Sequence, residues 1–219
     1  YNSCIIIGTI KIYFMSMNNE LEMRPEKLSP NAGFRLHYLT LYSIIYGMEA
    51  KNVFEFGCGY STQVILEALS QTGGKLTTND LRKIEDTSNP KELIDEHAHH
   101  WRYLEKRSDE ALKNDITGEV YDVVLHDGAH EALTVMKDIR QIVKHMKQDA
   151  ILMVHDTKHK SFPYLPWAVR VGLFPYRYEL VTLPYGSGLS IVRLKSNLGN
   201  GRVELKWKKG EVTKMGPHA

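Results

Sequence analysis

The chain has 219 residues, with 28 Lys+Arg against 26 Asp+Glu for a formal net charge of +2, and it is 42% hydrophobic and 25% charged. These values match a folded globular chain, so they exclude a disordered tail protein, a collagen-like repeat and a disulfide-stapled miniature. Near-neutrality also argues against a protein whose main task is gripping nucleic-acid phosphates.

At roughly 150 residues per domain, one well-filled domain is expected. Cys4 and Cys58 make no disulfide framework and point to a reducing, cytoplasmic setting. No apolar run approaches the roughly 18 residues needed to cross a bilayer, so no membrane partner is expected. The apolar start between Cys4 and Met15 is interrupted by Gly8, Thr9 and Lys11. It has neither a charged leader nor a small-residue cleavage site, which argues against a secretory signal. The sequence opens at Tyr1, with Met15 and Met17 as candidate starts.

Residues 1–28 read as an N-terminal extension. From Ser29-Pro30, a cap followed by first-turn proline, the pattern is helical, with Phe34, Leu36, Tyr38, Leu39, Leu41, Tyr42, Ile44 and Ile45 giving a broad apolar surface and Gly47 the stop. Strand-like runs follow at 53–56, 76–78, 101–104, 121–125 and 151–154, with helical stretches between them at 62–71, 90–100, 109–114 and 131–147. Such alternation predicts an α/β, Rossmann-like doubly wound sheet that is mostly parallel, with helices on both faces. After Asp156, Phe162–Trp167 reads as an aromatic, proline-punctuated loop. Runs at 178–183 and 189–194 flank Pro184-Tyr185-Gly186-Ser187-Gly188, predicting an antiparallel C-terminal hairpin and about seven strands in all. From Lys195 on, the chain carries six Lys/Arg and two Glu, a basic extension with a candidate turn at Asn200-Gly201.

The sharpest signal is Val53-Phe54-Glu55-Phe56-Gly57-Cys58-Gly59-Tyr60-Ser61-Thr62. A strand enters Gly-x-Gly and a helix starts at once, so backbone can approach a ligand beside free helix-start N–H groups. The next strand ends at Asp80, 23 residues after Gly57, where an acidic side chain accepts hydrogen bonds from ribose in nucleotide-type folds. A dinucleotide site usually has a third glycine near the position of Ser61. Serine there, and Glu55 two residues before the first glycine, suit a cationic or amine-bearing ligand better than a pyrophosphate.

These residues resemble the first motif of class I S-adenosylmethionine-dependent methyltransferases, in the Gly-x-Ser-Thr variant of small-molecule O-methyltransferases of the catechol, caffeoyl-CoA and antibiotic-sugar types. Tyr121-Asp122-Val123-Val124-Leu125-His126-Asp127-Gly128-Ala129-His130-Glu131 resembles that family's fourth-strand segment. Ile151–Thr157 resembles its fifth-strand ending and Gly186–Ile191 its last hairpin, so the likeness spans most of residues 30–194 and a domain of 29–194. The resemblance implies S-adenosyl-L-methionine across the carboxyl ends of the first strands. Glu55, Gly57, Cys58 and Gly59 then line the methionine end and Ser61 and Thr62 start the supporting helix. Asp80 holds the ribose, Ser108 and Asp109 meet the adenine edge, and Asp127 borders the cofactor.

Asp127 and Asp156 each end an apolar strand, and in this topology the two carboxylates emerge at one sheet edge. Such a pair repels unless a proton or cation sits between, and oxygen donors suit Mg²⁺ or another divalent ion. The resemblance supports a metal there, but its usual third ligand is an Asn directly after the second Asp, a position held by Thr157 and preceded by His155. His130, three residues after Asp127, is a candidate proton acceptor or metal contact, with His155 a second candidate. His126 is expected to point away from Asp127. His97, His99 and His100 read as a solvated helix face. The aromatics of 162–167 with Phe174, Pro175, Tyr176 and Tyr178, joined by Tyr38 and Tyr42, are a candidate acceptor wall, and Arg35, Arg170 and Arg177 are candidate anchors for an anion.

The expected activity is methyl transfer to a small-molecule acceptor, at a hydroxyl oxygen, with Asp127, His130 and His155 in catalytic roles. Two alternatives stay open: a nicotinamide-dependent oxidoreductase, and a nucleoside-binding relative without catalysis. Methylation of RNA or protein is disfavoured, since no Asn/Asp-Pro-Pro-Tyr segment occurs. Homo-oligomer formation is left open.

Overall fold

The structure, a computed structural model, describes residues 33–89 and 91–195. Cys4, the Ser29-Pro30 cap, the two extensions and the Asn200-Gly201 turn lie outside the described residues.

A short 3-10 helix, Gly33–His37, leads into α1 (Tyr38–Gly47). Then come β1 (Asn52–Phe56), α2 (Tyr60–Thr72), β2 (Lys75–Asp80), α3 (Lys91–His97), β3 (Trp101–Glu105), α4 (Ser108–Asn114), β4 (Tyr121–His126) and α5 (Ala132–Ile142). The run closes with β5 (Met146–His155), α6 (Leu165–Leu173), β6 (Arg177–Leu183) and β7 (Leu189–Lys195). The seven strands form one sheet in the order β3-β2-β1-β4-β5-β7-β6. β1 to β5 pair in parallel, whereas β7 runs antiparallel to both β5 and β6. The expected fold class is therefore the observed one.

Alternation along the central strands builds both faces. Phe54, Phe56, Val124, Leu152 and Val154 pack under the helices of the second half, with Ile139 and Val169 among them. Val53, Val123, Leu125 and Met153 face the other way, against Leu41 and Ile45 of α1 and Ile65 and Leu69 of α2. Fully burying each such side chain contributes about 2 kcal/mol, which is what holds the strand ends in register. Phe56 lies level with Asn79 and with His126, and His126 with Val154. The residues that follow these positions, Gly57, Asp80, Asp127 and His155, thus share one edge of the sheet.

Two element assignments differ from the sequence reading. The helix expected over 131–147 ends at Ile142, passes through a 3-10 turn (Val143–His145), and yields to a strand already at Met146. Polar Lys147, Gln148 and Asp149 hide the start of that strand, and Asp149 adopts a left-handed φ of 62°. The second difference is α6, which begins inside the stretch read as loop. Pro166 sits in its first turn, where no intrahelical N–H is needed, so proline there opens the helix instead of breaking it.

Candidate active site

Chain order reverses between β1 and β4, which puts a crevice at the carboxyl ends of these strands, the usual ligand position in open α/β sheets. A cavity of about 400 Å³ opens there. It is lined by Gly59, Tyr60 and Ser61 after β1, Asp127 and His130 after β4, His155, Asp156 and His159 at β5, Ser187 from the last hairpin, and Phe34 and Tyr38 from the first helical segment.

The two glycines of the β1 loop have different reasons to be glycine. Gly57 has φ +83°, and a Cβ there would lie 2.5 Å from the Asp127 carbonyl oxygen. Backbone packing alone demands it. Gly59 is extended at φ −162°, and a Cβ would meet no protein atom within 4 Å. Neither backbone conformation nor protein packing requires glycine there, and the position faces the open cavity.

Glu55 lies beneath the loop and is wholly buried. Its carboxyl accepts hydrogen bonds from Ser61 Oγ (2.7 Å), Thr62 Oγ1 (2.8 Å) and Thr78 Oγ1 (3.0 Å), tying β1, β2 and the start of α2 together. Burial pushes its pKa up to about 8, against the opposing pull of those hydroxyls. Cys58 is a buried free thiol, and burial lifts its pKa to about 12, so it is inert.

Asp80 ends β2 with four donors on one carboxylate. The Cys58 amide gives 2.7 Å to Oδ2, and the Arg82 amide gives 2.8 Å to Oδ1. The Arg82 guanidinium adds 3.1 Å to Oδ1 and 2.6 Å to Oδ2. Burial works to raise the Asp80 pKa, but the Arg82 and Cys58 contacts outweigh it and hold the carboxyl below its ordinary value.

On the opposite side of the crevice, acids and imidazoles alternate. His130 Nε2 lies 2.5 Å from Asp156 Oδ2, and His155 Nδ1 lies 2.8 Å from Asp127 Oδ1 and 3.3 Å from Asp156 Oδ1. The hydrogen bond to Asp156 raises the His130 pKa in spite of partial burial. For Asp156, burial would raise the pKa, yet His130, His155 and Ser187 lower it overall. Asp156 adopts a left-handed φ of 59°, a conformation an aspartate tolerates better than most side chains. Asp127, His130 and Asp156 each offer a ligand atom, all within 4.8 Å of one another.

Several predicted residues lie elsewhere. Thr157, at the expected Asn position, is buried and accepts a hydrogen bond from Ser190 Oγ at 3.0 Å, away from the acid pair. Ser108 donates to the buried Asp138 at 2.7 Å, and Asp109 sits on the surface beside Arg107, so neither lines the cavity. His126 points away from Asp127, as expected, stacking on Phe56 and facing Asp138 at 3.3 Å. His97 is buried instead of solvated whereas His99 is exposed, and His97, His100 and His99 are joined by ring-nitrogen hydrogen bonds of 2.7 and 2.8 Å away from the crevice.

The aromatic wall is also rearranged. Phe34 and Tyr38 line the cavity, Phe34 lying 4.8 Å from the His155 ring. Phe162 reaches the site by stacking on His130 at 4.4 Å. Tyr164, Trp167 and Phe174 stand exposed outside the lining, Tyr176 and Tyr178 pack on the core, and Tyr42 stacks on Tyr46. Arg35, Arg170 and Arg177 are exposed and do not line the cavity.

Sequence reasoning missed His37, His159 and Arg82. His37 is fully buried, 5.7 Å from the His155 ring, and shares a hydrogen bond with the Tyr185 carbonyl. Burial and the neighbouring His155 lower its pKa. Nothing in its local pattern separates it from a helix-surface histidine. Arg82 did carry a signal, standing two residues after Asp80.

Residues 54–157 match the model of a methyltransferase domain. No curated protein sequence matches the chain. Among solved structures, the SAH-bound methyltransferase PaMTH1 of Podospora anserina is 16% identical, covers 78% of this chain and 85% of its own, and superposes with a TM-score of 0.56. The O-methyltransferase TomG of Streptomyces achromogenes, involved in tomaymycin synthesis and solved with SAM, is 17% identical over 74% and 81%, with a TM-score of 0.56. An O-methyltransferase of Bacillus cereus in complex with SAH is 14% identical over 73% and 81%, with a TM-score of 0.54. These likenesses concern the fold, and within that fold the segment that runs from β1 to the end of β5 is similar to a methyltransferase domain.

Proposed function

We propose that the protein transfers the methyl group of S-adenosylmethionine to a hydroxyl oxygen of a small-molecule acceptor. One observation carries this reading: at a single edge of the sheet, a glycine loop with Gly59 open to the cavity and a strand-end Asp80 stand across from Asp127, His130 and Asp156. That the similar O-methyltransferases from Streptomyces and Bacillus were solved with SAM or SAH supports the same donor here. The loop residues fit the donor, since Gly59 is a cradle that a side chain would fill. Asp80 would hold the ribose, with the loop backbone beside the methionine end.

When bound, the sulfonium supplies an electrophilic methyl group. The chain's own part is to hold an acceptor oxygen in line with it and to take the acceptor's proton. His130 is placed for the second task, half-exposed at the cavity mouth with Asp156 stabilising its protonated form. Phe34 and Tyr38 supply an apolar wall that excludes water from one side.

Two carboxylates and one imidazole also fit a divalent cation such as Mg²⁺. Asp127, Asp156 and His130 would hold it, and such an ion polarises a hydroxyl as a Lewis acid. A buried free thiol at Cys58 supports a reducing, cytoplasmic setting. Among the described residues, no helix is long and apolar enough to cross a membrane.

The test is calorimetric titration with S-adenosylhomocysteine, followed by turnover on catechols, phenols, sugars and amines with Mg²⁺ and with a chelator. Binding plus methylation of a hydroxyl acceptor supports the reading. Binding with no turnover on any acceptor favours a nucleoside-binding relative, and no binding at all overturns the assignment.

A further inference from the structure

The Asp80 carboxylate is saturated. A carboxylate offers about four lone-pair positions, and Asp80 already receives four donors: the Cys58 and Arg82 amides and two guanidinium nitrogens of Arg82. A ribose diol brings two more donors and needs two acceptor positions. The amides cannot leave, because Cys58 sits in the packed glycine loop and the Arg82 backbone is pinned by Tyr103, whose hydroxyl donates to the Arg82 carbonyl at 2.8 Å. The guanidinium can leave, since the Arg82 side chain is 51% exposed while that of Asp80 is 8% exposed. It also donates to the Cys58 carbonyl at 2.5 Å, so it closes over the loop and the carboxylate at once.

We infer that the Arg82 side chain is a built-in competitor for the nucleoside, occupying on Asp80 the two acceptor positions that a vicinal ribose diol takes when it binds. This rests on the methyl-donor reading above. The exchange is two donors for two, so Asp80 stays satisfied throughout and the site opens without stranding a buried carboxylate. Its consequence is weaker binding and quicker release of any ligand that uses the diol, including the demethylated product.

The test is a cycle of variants titrated with S-adenosylhomocysteine: wild type, Arg82→Ala, Arg82→Lys, Asp80→Asn and the double variant Asp80→Asn/Arg82→Ala, each first checked for a native melting transition. Arg82→Ala is expected to bind about threefold to tenfold more tightly than wild type, the range set by a partly exposed bidentate pair. Arg82→Lys, which keeps the charge but loses the fork, should fall between. In the Asp80→Asn background the gain from removing Arg82 should vanish. Equal or weaker binding by Arg82→Ala, or the same gain without Asp80, overturns the inference. Wild type failing to bind while well folded defeats the methyl-donor reading itself, which is a separate outcome from binding that ignores Arg82. If Arg82→Ala alone melts early, Arg82→Gln serves in its place.

Discussion

His130 Nε2 and Asp156 Oδ2 lie 2.5 Å apart, joining the loop after β4 to the end of β5 across the crevice. Asp156 can reach inward because its backbone turns left-handed at the strand end, and Phe162 stacks on His130 from behind. His155 meets Asp127 beside them, so each carboxylate has an imidazole nitrogen within hydrogen-bond reach. The four residues form one hydrogen-bonded unit, and its chemistry differs from that of the glycine loop opposite.

That division of labour is testable. Asp127→Ala should lower turnover by about 10² to 10⁴-fold while leaving S-adenosylhomocysteine affinity within about threefold. Asp80→Ala should weaken that affinity by about 10 to 100-fold, the loss of charge-assisted hydrogen bonds to a diol. Calorimetry and kinetics on both variants separate the roles, and equal loss of both properties in both variants contradicts them.

The two loop glycines should fail differently. Gly57→Ala forces a Cβ to within 2.5 Å of the Asp127 carbonyl in a left-handed backbone and should cost at least about 2 kcal/mol in chemical denaturation. Gly59→Ala should melt like wild type yet bind S-adenosylhomocysteine about tenfold more weakly, since its Cβ enters the cavity.

Glu55 makes stability depend on pH. Its pKa rises from 4.5 to about 8 on folding, so between these values the folded state binds more protons than the unfolded one. Stability therefore falls as pH rises through that window, by at most about 1.4 kcal/mol per pH unit. Glu55→Gln should flatten the melting temperature between pH 5 and pH 8, roughly the same window. A variant with the wild-type slope would mean the dependence arises elsewhere.

Turnover should report His130. Its pKa lies above the ordinary 6.5, and only the neutral ring accepts a proton, so the rate should climb with pH through a midpoint above that value. His130→Gln should remove this limb, and Asp156→Asn should move it to lower pH by removing the carboxylate that stabilises the protonated ring. A limb unchanged in His130→Gln assigns the base to another group.

The fold was legible because its determinants are local. Alternating apolar runs fix β1 to β5, and glycine followed by Ser61 and Thr62 ends one element and starts the next. Where local pattern misled, at Met146 and at Pro166, polar residues hid a strand start and a proline signalled a break although it stood in a helix's first turn. That the glycine loop and the acids at the strand ends share an edge could be read for the same reason: parallel strands of one sheet end together.

Gly57, Gly59, Asp80, Asp127 and Asp156 gather at that edge for reasons written in residue order, since strand order and strand length dictate it. Which way the side chains turn follows instead from packing between distant segments. Thr157 faces Ser190, Ser108 faces Asp138, Arg82 folds back onto Asp80, and Phe34 and His37 pack against His155 from a segment distant in the chain. Those choices depend on partners that the sequence scatters and packing brings together. No periodicity encodes them, because each is settled by which neighbour best satisfies a polar atom removed from water.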